Sequence, residues 1–330
     1  GTLSEVAAAI NQLSGSIYPS LISAELNHVQ ANLDSVRDHL VLRGDPNYRA
    51  ATLVPWVRGY GVYGNAEIDD CLTPGYRYEV GGVELGSVVN LGDGVSAFGY
   101  THLAGASMNV RGVNQHADVD AYRFGGGFQC VGYDAYVFAT GGGGVQNYDV
   151  RRSLDAFAGS TFVESCFDGS ASFGYVEVGS VYGQAPAAFN PYLALQSSRV
   201  SMDPVVETGD AEFALSNPGI EGGSLRGSLG IAYDQTGTTP IGPARSRLRA
   251  GWLHEFLDSS ESVRSVFADT NPSAIFLNDR GVSLGRDWGL VGYELEWAIF
   301  RHGQLSAGYQ GQFNSRSSFS SFLAGAEWLW

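Results

Sequence analysis

Few residues of this sequence have the types and spacing that catalysis requires. His254 and Glu255 could serve as a base and an acid, but they lie in a stretch that alternates like a β-strand, where neighbours point to opposite faces. The sequence contains no G-x-S-x-G, H-E-x-x-H or P-loop motif. We therefore predict that the chain is not an enzyme and uses no cofactor.

The three cysteines, Cys71, Cys130 and Cys166, do not form a recognisable metal site. They contain no C-x-x-C pair, and no histidine lies near them at the spacing of zinc ligands. We predict that the chain binds no metal.

Composition narrows the class of protein. The chain has 330 residues, with 45 Gly, 12% aromatic residues and 16% charged residues, whereas soluble domains have about 25% charged residues. No window approaches the roughly 18 consecutive apolar residues of a membrane-spanning helix. A chain rich in Gly and aromatic residues but poor in charge is typical of a transmembrane β-barrel, because apolar and polar residues alternate along its strands.

The charge balance excludes one class of partner. The chain has 34 acidic and 19 basic residues, a formal net charge of -15, and every basic residue is Arg. Because it has no basic run, we predict no binding to nucleic acid. No signal peptide begins at Gly1, so we expect the sequence to be a fragment or a mature piece of a longer exported chain.

An apolar stripe at helical spacing predicts a helix from Ile17 to Leu40, with Ser16 as its expected cap. Such a helix has about 24 residues and a length of roughly 36 Å. Its other faces carry polar residues that exclude contact with lipid. These are Glu25, Asn27, His28, Gln30, Asn32, Asp34, Arg37 and Asp38. If this helix crosses a membrane, it must cross inside a polar interior.

After residue 50 the apolar period changes to two, which predicts strands. A soluble sandwich would alternate in the same way, but here short connections alternate with long ones, as in outer-membrane barrels. The predicted strands are 52–67, 77–91, 95–110, 119–132, 135–150, 169–183, 191–202, 222–235, 246–258, 287–300, 303–314 and 319–330. The predicted fold is thus an all-β transmembrane barrel of twelve antiparallel strands, with the N-terminal helix threaded through its lumen.

A helix inside the barrel needs polar partners on the inward faces of the strands. The residues predicted to line the pore are Arg123, Glu177, Arg226, Arg247, Arg249, Glu294 and Glu296. Inward glycines at 125, 127 and 141–144 either let the wall approach the helix closely or relieve strand coiling.

Three further predictions concern the wall and its loops. Phe322, Trp328 and Trp330 share one face of the last strand, and this ending resembles the signal that outer-membrane barrels present to their assembly machinery. The strand count places Cys71 and Cys166 in two long loops, where a disulfide between them is one hypothesis and three unpaired thiols is the other. Cys130 should remain a free thiol within a strand.

An ordered set of motifs resembles a known family, the C-terminal translocator domain of type V secreted proteins, or autotransporters. The motifs are the segment 12–15 before the helix and the strand-opening segment 55–61, followed by 190–192, 207–209, 251–256 and 285–287. The resemblance implies a barrel in the bacterial outer membrane, with the N-terminus of the helix facing the cell exterior and a passenger domain attached to it. It also implies contact with the barrel assembly machinery and with outer-membrane lipid; we expect a monomer.

The resemblance extends to one possible reaction of the helix. The region around Asn27 and His28 is similar to the cleavage region of self-releasing autotransporters, in which an Asn side-chain amide attacks its own carbonyl and forms a succinimide. That subgroup typically has a second Asn where this chain has His28. The alternative is that Asn27 is a polar position packed against the lumen wall.

We therefore predict two units, a linker and pore-plugging helix over 1–50 and a barrel over 51–330. The predicted function is an outer-membrane translocator that anchors a passenger and assists its export. A porin with an open lumen is the alternative, and a barrel hydrolase with Ser, His and Asn on its outer wall is a third reading.

Overall fold

The chain forms one closed antiparallel sheet around a helix. The structure is a computed structural model that describes residues 12–41, 51–69, 73–154, 161–184, 186–210, 212–240, 242–258, 260–268, 276–300 and 302–329. Its long strands are β1 (Leu53–Ala66), β2 (Tyr76–Gly92), β3 (Val95–Val110), β4 (Gln115–Val131), β5 (Ala135–Ser153), β6 (Phe162–Ser180), β7 (Ala187–Met202), β8 (Ile220–Thr239), β9 (Gly242–Glu255), β10 (Asp287–Phe300), β11 (Gly303–Phe313) and β12 (Ser317–Trp328).

Each long strand pairs with the next one along the chain, and β12 returns to pair with β1. At this junction Trp56 lies opposite Glu327, and Ala66 lies opposite Ser317. Closure satisfies the backbone groups that an open sheet would leave unpaired at its edges. The predicted twelve-stranded barrel is confirmed.

Connection lengths differ between the two rims of the barrel. One rim carries short connections, such as 93–94 and 132–134, whereas the other carries the long connections 203–219 and 256–286. The two long connections build a small sheet that the alternation pattern does not predict. Its strands are Val205–Val206, Leu215–Asn217, Ser262–Phe267 and Phe276–Arg280.

The wall has an apolar outer face and a polar inner face. On β8, Leu229 and Ile231 are 55% and 45% exposed on the outside, whereas Ala232 and Asp234 are buried inside. Beyond the apolar band, inward and outward residues continue to alternate, but the outward residues are polar. β6 therefore begins at Phe162 and not at the predicted residue 169. The predicted bound was wrong because polar outward positions look like a loop in sequence.

The helix α1 spans Ile17–Leu40, as predicted, and lies inside the barrel. All of its residues except Asp38 are buried. Within the described residues, no helix combines the length and the apolar character that crossing a membrane would require.

The inward glycines lie close to atoms of the neighbouring strands. A Cβ at Gly127 would lie 2.0 Å from the carbonyl oxygen of Ala139, and one at Gly125 would lie 2.5 Å from the Tyr100 ring. At Gly142 and Gly144 the nearest atoms also belong to neighbouring strands. These nearest atoms favour the second hypothesis, in which the glycines relieve crowding within the coiled sheet.

Candidate functional site

The candidate site is the interior of the barrel, where polar side chains of α1 meet polar side chains of the wall. At mid-helix, the carboxylate of Glu25 accepts hydrogen bonds from Arg123 of β4, from the hydroxyl of Tyr78, and from Gln146 Nε2 at 2.8 Å. His28 Nδ1 lies 3.5 Å from the same carboxylate. Each of these groups is buried, so the contacts replace the water that the carboxylate would otherwise bind.

Asn27 also faces the wall. Its Nδ2 donates to the carbonyl oxygen of Ser23 at 2.8 Å, and its Oδ1 accepts from Arg226 Nη2 at 3.0 Å. Arg226 Nε in turn donates to Glu255 at 2.8 Å. The asparagine amide is therefore held between its own helix and β8.

The second half of α1 is held by a dense group of ion pairs. Arg37 donates to both carboxylate oxygens of Glu177 on β6, at 2.8 and 2.6 Å. Arg249 on β9 lies 3.4 Å from Asp34 and 3.2 Å from Asp38. Bidentate arginine–carboxylate pairs of this kind fix geometry as well as charge.

Side chains of the small sheet and of the barrel bind the chain just outside both ends of the helix. Ser16 was predicted to cap the N-terminus, but its side chain makes no cap hydrogen bond and its backbone is already helical, with φ -59° and ψ -18°. Instead, Asp279 from the small sheet accepts hydrogen bonds from Gly15 N and Ser14 Oγ, both at 2.9 Å. At the other end, Arg247 Nη1 donates to the carbonyl oxygen of Val41 at 2.7 Å.

All seven side chains that the sequence places in the pore are buried inside the barrel. Five of them contact the helix segment directly, namely Arg123, Glu177, Arg226, Arg247 and Arg249. The other two pair with arginines of the wall. Glu294 accepts from Arg58, which itself donates to the carbonyl oxygen of Ser35 at 2.8 Å. Glu296 pairs with Arg245 at 3.4 Å.

Sequence reasoning missed Arg58 and Asp279. Arg58 stands at an inward position of β1 between Trp56 and Tyr60, so the period of two carried the signal that could have found it. Asp279 lies in a long connection, where no period applies.

The comparisons with known proteins fit this architecture. A family model described as the autotransporter β-domain matches residues 55–310. The chain belongs to the autotransporter β-domain family. Its barrel is therefore an outer-membrane translocator domain, a class of domain that supports export of a passenger and is not itself catalytic.

Solved translocator domains share the fold. The translocator domain of autotransporter NalP from Neisseria meningitidis has a TM-score of 0.75 and 15% identity, with 94% of this chain and 98% of that chain covered. The β domain of the Bordetella autotransporter BrkA has a TM-score of 0.60 and 17% identity, with 84% and 100% covered.

Two curated relatives are extracellular serine proteases of Serratia marcescens. They are 25% and 23% identical to this autotransporter domain over 98% and 99% of the chain. The chain spans 31% of each relative, about a third of their length.

The remaining predicted site residues of the translocator lie on the wall. Phe322 and Trp328 are 58% and 48% exposed on the outer face of β12, and Trp330 lies outside the described residues. Cys166 is on β6 and not in a loop, because the strand extends further than predicted.

Cys130 and Cys166, the two cysteines within the described residues, are free thiols. The thiol of Cys166 donates to Asp149 Oδ1 at 2.7 Å. A disulfide between Cys166 and Cys71 would have to break this hydrogen bond. Cys130 is half-buried within β4 and is also free. Cys71 lies outside the described residues, so its bridge to Cys166 stays a prediction that counting reactive thiols in the unreduced chain would test. Among the described residues, no group of three His, Cys, Asp or Glu could hold a metal ion.

The buried pair between Arg37 and Glu177 generates a stability prediction. Arg37→Ala leaves the Glu177 carboxylate buried without its partner, and we expect a loss of about 3 to 5 kcal/mol in the free energy of unfolding. The measurement is the temperature at which the folded band disappears in semi-native electrophoresis. Adding Glu177→Gln to Arg37→Ala should recover part of the loss.

The matched control is Arg151→Ala, which breaks the exposed pair between Arg151 and Glu164. Such a pair contributes about 0 to 1 kcal/mol, so the unfolding temperature should hardly change. Equal shifts for the two arginine variants would show that the buried pair does not hold the helix.

Proposed function

We propose that α1 is the segment that remains in the pore after a passenger linked to its N-terminal side has been exported, and that it closes the pore. On this proposal the chain has two units, a linker and plug over 1–50 and an anchoring barrel over 51–330. The observation that carries it is the pairing of the helix charges with the wall, since Glu25, Asp34, Arg37 and Asp38 all have ionic partners.

We also propose that the N-terminus of α1 faces the cell exterior. The support is that Asp279, which contacts the segment before the helix, belongs to the connection 256–286. In outer-membrane barrels the long connections lie outside the cell and the short turns lie in the periplasm. A passenger joined to this end of the helix would then be outside.

An open porin and a barrel hydrolase fit less well. A porin needs a water-filled lumen, whereas here the lumen contains a helix with nearly every residue buried. A hydrolase on the outer wall would need a serine hydroxyl beside a histidine. His116 on the outer wall contacts Asn109 at 3.0 Å and Asp118 at 3.2 Å, and no serine hydroxyl is among its hydrogen-bond partners in the described part of the chain.

Membrane assembly is a further part of the proposal. We propose that the assembly machinery reads Phe322, Trp328 and Trp330, that outer-membrane lipid covers the apolar wall, and that the translocator is a monomer. The support is that Phe322 and Trp328 face outward on the strand that closes the barrel against β1.

A second, finer proposal is self-cleavage between Asn27 and His28. The observation that favours it is the hydrogen bond from the buried Arg226 to Asn27 Oδ1. A cation at this oxygen stabilises the anion that forms when Nδ2 loses a proton, which makes Nδ2 a better nucleophile toward the Asn27 carbonyl carbon. Attack forms the Nδ2–C bond of the succinimide and breaks the Asn27–His28 peptide bond, and the leaving amine takes up the proton that Nδ2 lost, so His28 becomes a new N-terminus.

Removal of residues 1–45 tests the plug. We expect a folded, monomeric barrel with a larger single-channel conductance and a lower unfolding temperature, because the wall ions lose their partners on the helix. Conductance in planar bilayers and mass in detergent are the measurements. An unchanged conductance would reject the plug, and failure of the truncated chain to fold would reject the two-unit division.

Phe322→Asp tests the assembly signal. It should strongly reduce the fraction of chain that inserts as a heat-modifiable barrel, and Trp330→Asp should do the same. The matched control is Tyr309→Asp, because Tyr309 lies directly opposite Phe322 on β11 and also faces outward. If the two opposed positions lose insertion equally, the cost is that of placing a charge in lipid, and no signal is read there.

Asn27→Ala tests self-cleavage. Mass spectrometry of the membrane-assembled parent protein should find a new N-terminus at His28, and the variant should lack it. A parent helix that stays covalently whole would contradict the proposal, and Asn27 would then be a packing position of the plug.

A further inference from the structure

The mouth of the pore beside the N-terminus of α1 contains buried polar side chains that bind main chain. Arg152 of β5 is fully buried, and its Nη1 donates to the carbonyl oxygens of Gln12, Leu13 and Ser14 at 3.0, 3.2 and 3.3 Å. Gln115 Nε2 of β4 donates to the carbonyl oxygen of Ser14 at 3.0 Å. Two wall residues thus engage three consecutive peptide carbonyls.

The arginine is held in place by a partner that does not touch these carbonyls. Glu207, which is also buried, accepts from Arg152 Nε at 2.6 Å and from Nη2 at 2.7 Å. It also accepts from the hydroxyl of Tyr18 at 2.6 Å and from Leu215 N at 2.7 Å. The carboxylate balances the charge of the guanidinium and leaves Nη1 directed at the carbonyls.

Asp279 of the small sheet binds a main-chain donor of the same segment. Asp279 Oδ1 accepts from Gly15 N at 2.9 Å, and Asp279 Oδ2 is fixed by Ser265 Oγ at 2.6 Å. A Cβ at Gly15 would lie 2.8 Å from this carboxylate, so the contact needs the close approach of a bare backbone. Beyond the backbone, the mouth takes up the Ser14 hydroxyl and the side chain of Leu13.

We propose that Arg152, Glu207, Gln115 and Asp279 form an exit site that binds polypeptide main chain. On the proposed function, successive segments of the passenger pass over this site during export, and residues 12–15 occupy it when export ends. Every residue of a passing chain presents a carbonyl to Arg152 and Gln115, so these two contacts pass from one residue to the next without reading sequence, whereas Asp279 binds an N–H closely where a glycine passes. Because the charge of Arg152 is paired with Glu207, the arginine does not select for acidic segments.

The experiment uses the complete chain joined behind a tagged passenger in which a disulfide-closed loop stalls export until it is reduced. A photoreactive benzoylphenylalanine replaces Phe213, which packs on the same cluster of Leu154, Val163 and Ala214 as Leu13 does. The control probe replaces Phe189, which is 51% exposed on the outer wall. Cross-linked peptides are mapped by mass spectrometry before and after reduction.

With the stalled passenger, the probe at 213 should cross-link passenger residues far upstream of Gln12, and after reduction the cross-links should move to residues 12–15. Arg152→Gln should lower the upstream cross-link yield about tenfold. Gln115→Ala, which removes a carbonyl contact without leaving a buried charge, should lower it about threefold. Arg199→Gln, which breaks an exposed ion pair with Glu221 on the outer wall, should leave it unchanged.

Cross-links confined to residues 12–15 in the stalled state would overturn the exit site, and so would equal yields from the Gln115 and Arg199 variants. Both outcomes leave the proposed function standing if the tag reaches the cell surface. A tag that never reaches the surface from the unsubstituted barrel would reject the proposed function, and the exit site with it.

Discussion

The structure depends on the need to pair every charge that α1 carries into the barrel. An ion buried without a partner costs several kcal/mol, and removing one member of a buried pair is more costly than removing both. The partners of Glu25, Arg37 and Asp34 come from β4, β6 and β9, which lie on different parts of the wall. A shift of the helix by one residue turns its side chains by about 100° and would separate these pairs together. The ion pairs therefore fix both the depth and the rotation of the helix.

The helix dipole adds a direction to this constraint. The N-terminus of a helix carries a partial positive charge and the C-terminus a partial negative one. No acidic residue lies in the first turn of α1, so the carboxylate there is Asp279 from the small sheet, whereas Arg247 from β9 binds the carbonyl at the other end. If the helix lay in the opposite direction, Asp279 would face its negative C-terminus and Arg247 its positive N-terminus. The small sheet therefore helps to fix the direction of the helix, and through Asp279 it joins the long connections to the helix segment.

The sequence predicts the features that follow from a repeated local pattern. The other features of the structure depend on contacts between residues that are far apart in the chain. The period of two placed Arg123, Glu177 and the other pore residues on the inner face because alternation is a local property of each strand. The same period could not predict that Gly127 lies against the carbonyl of Ala139. This crowding depends on how the neighbouring strands coil around each other. The period also did not predict that Asp279, more than 260 positions away in the chain, would bind Gly15 N just before the helix. The predicted start of β6 was wrong for a related reason. The first residues of this strand continue the pairing with the neighbouring strand, but their outward side chains are polar because they lie beyond the apolar band.

The polar character of α1 meets two requirements at once. A mostly apolar helix of this length could leave the pore and enter the bilayer, whereas the charges of α1 make the hydrocarbon layer far less favourable than a lumen that offers partners. Buried ion pairs contribute little net stability compared with apolar packing, but they favour one position and orientation of the helix over all others. Because the helix needs those partners inside, the inner face of the wall carries buried charges such as Arg123, Glu177 and Arg249, and the outward positions of the apolar band are left for residues that lipid can cover. The low charge of the composition and the ionic interior are therefore two consequences of the same arrangement.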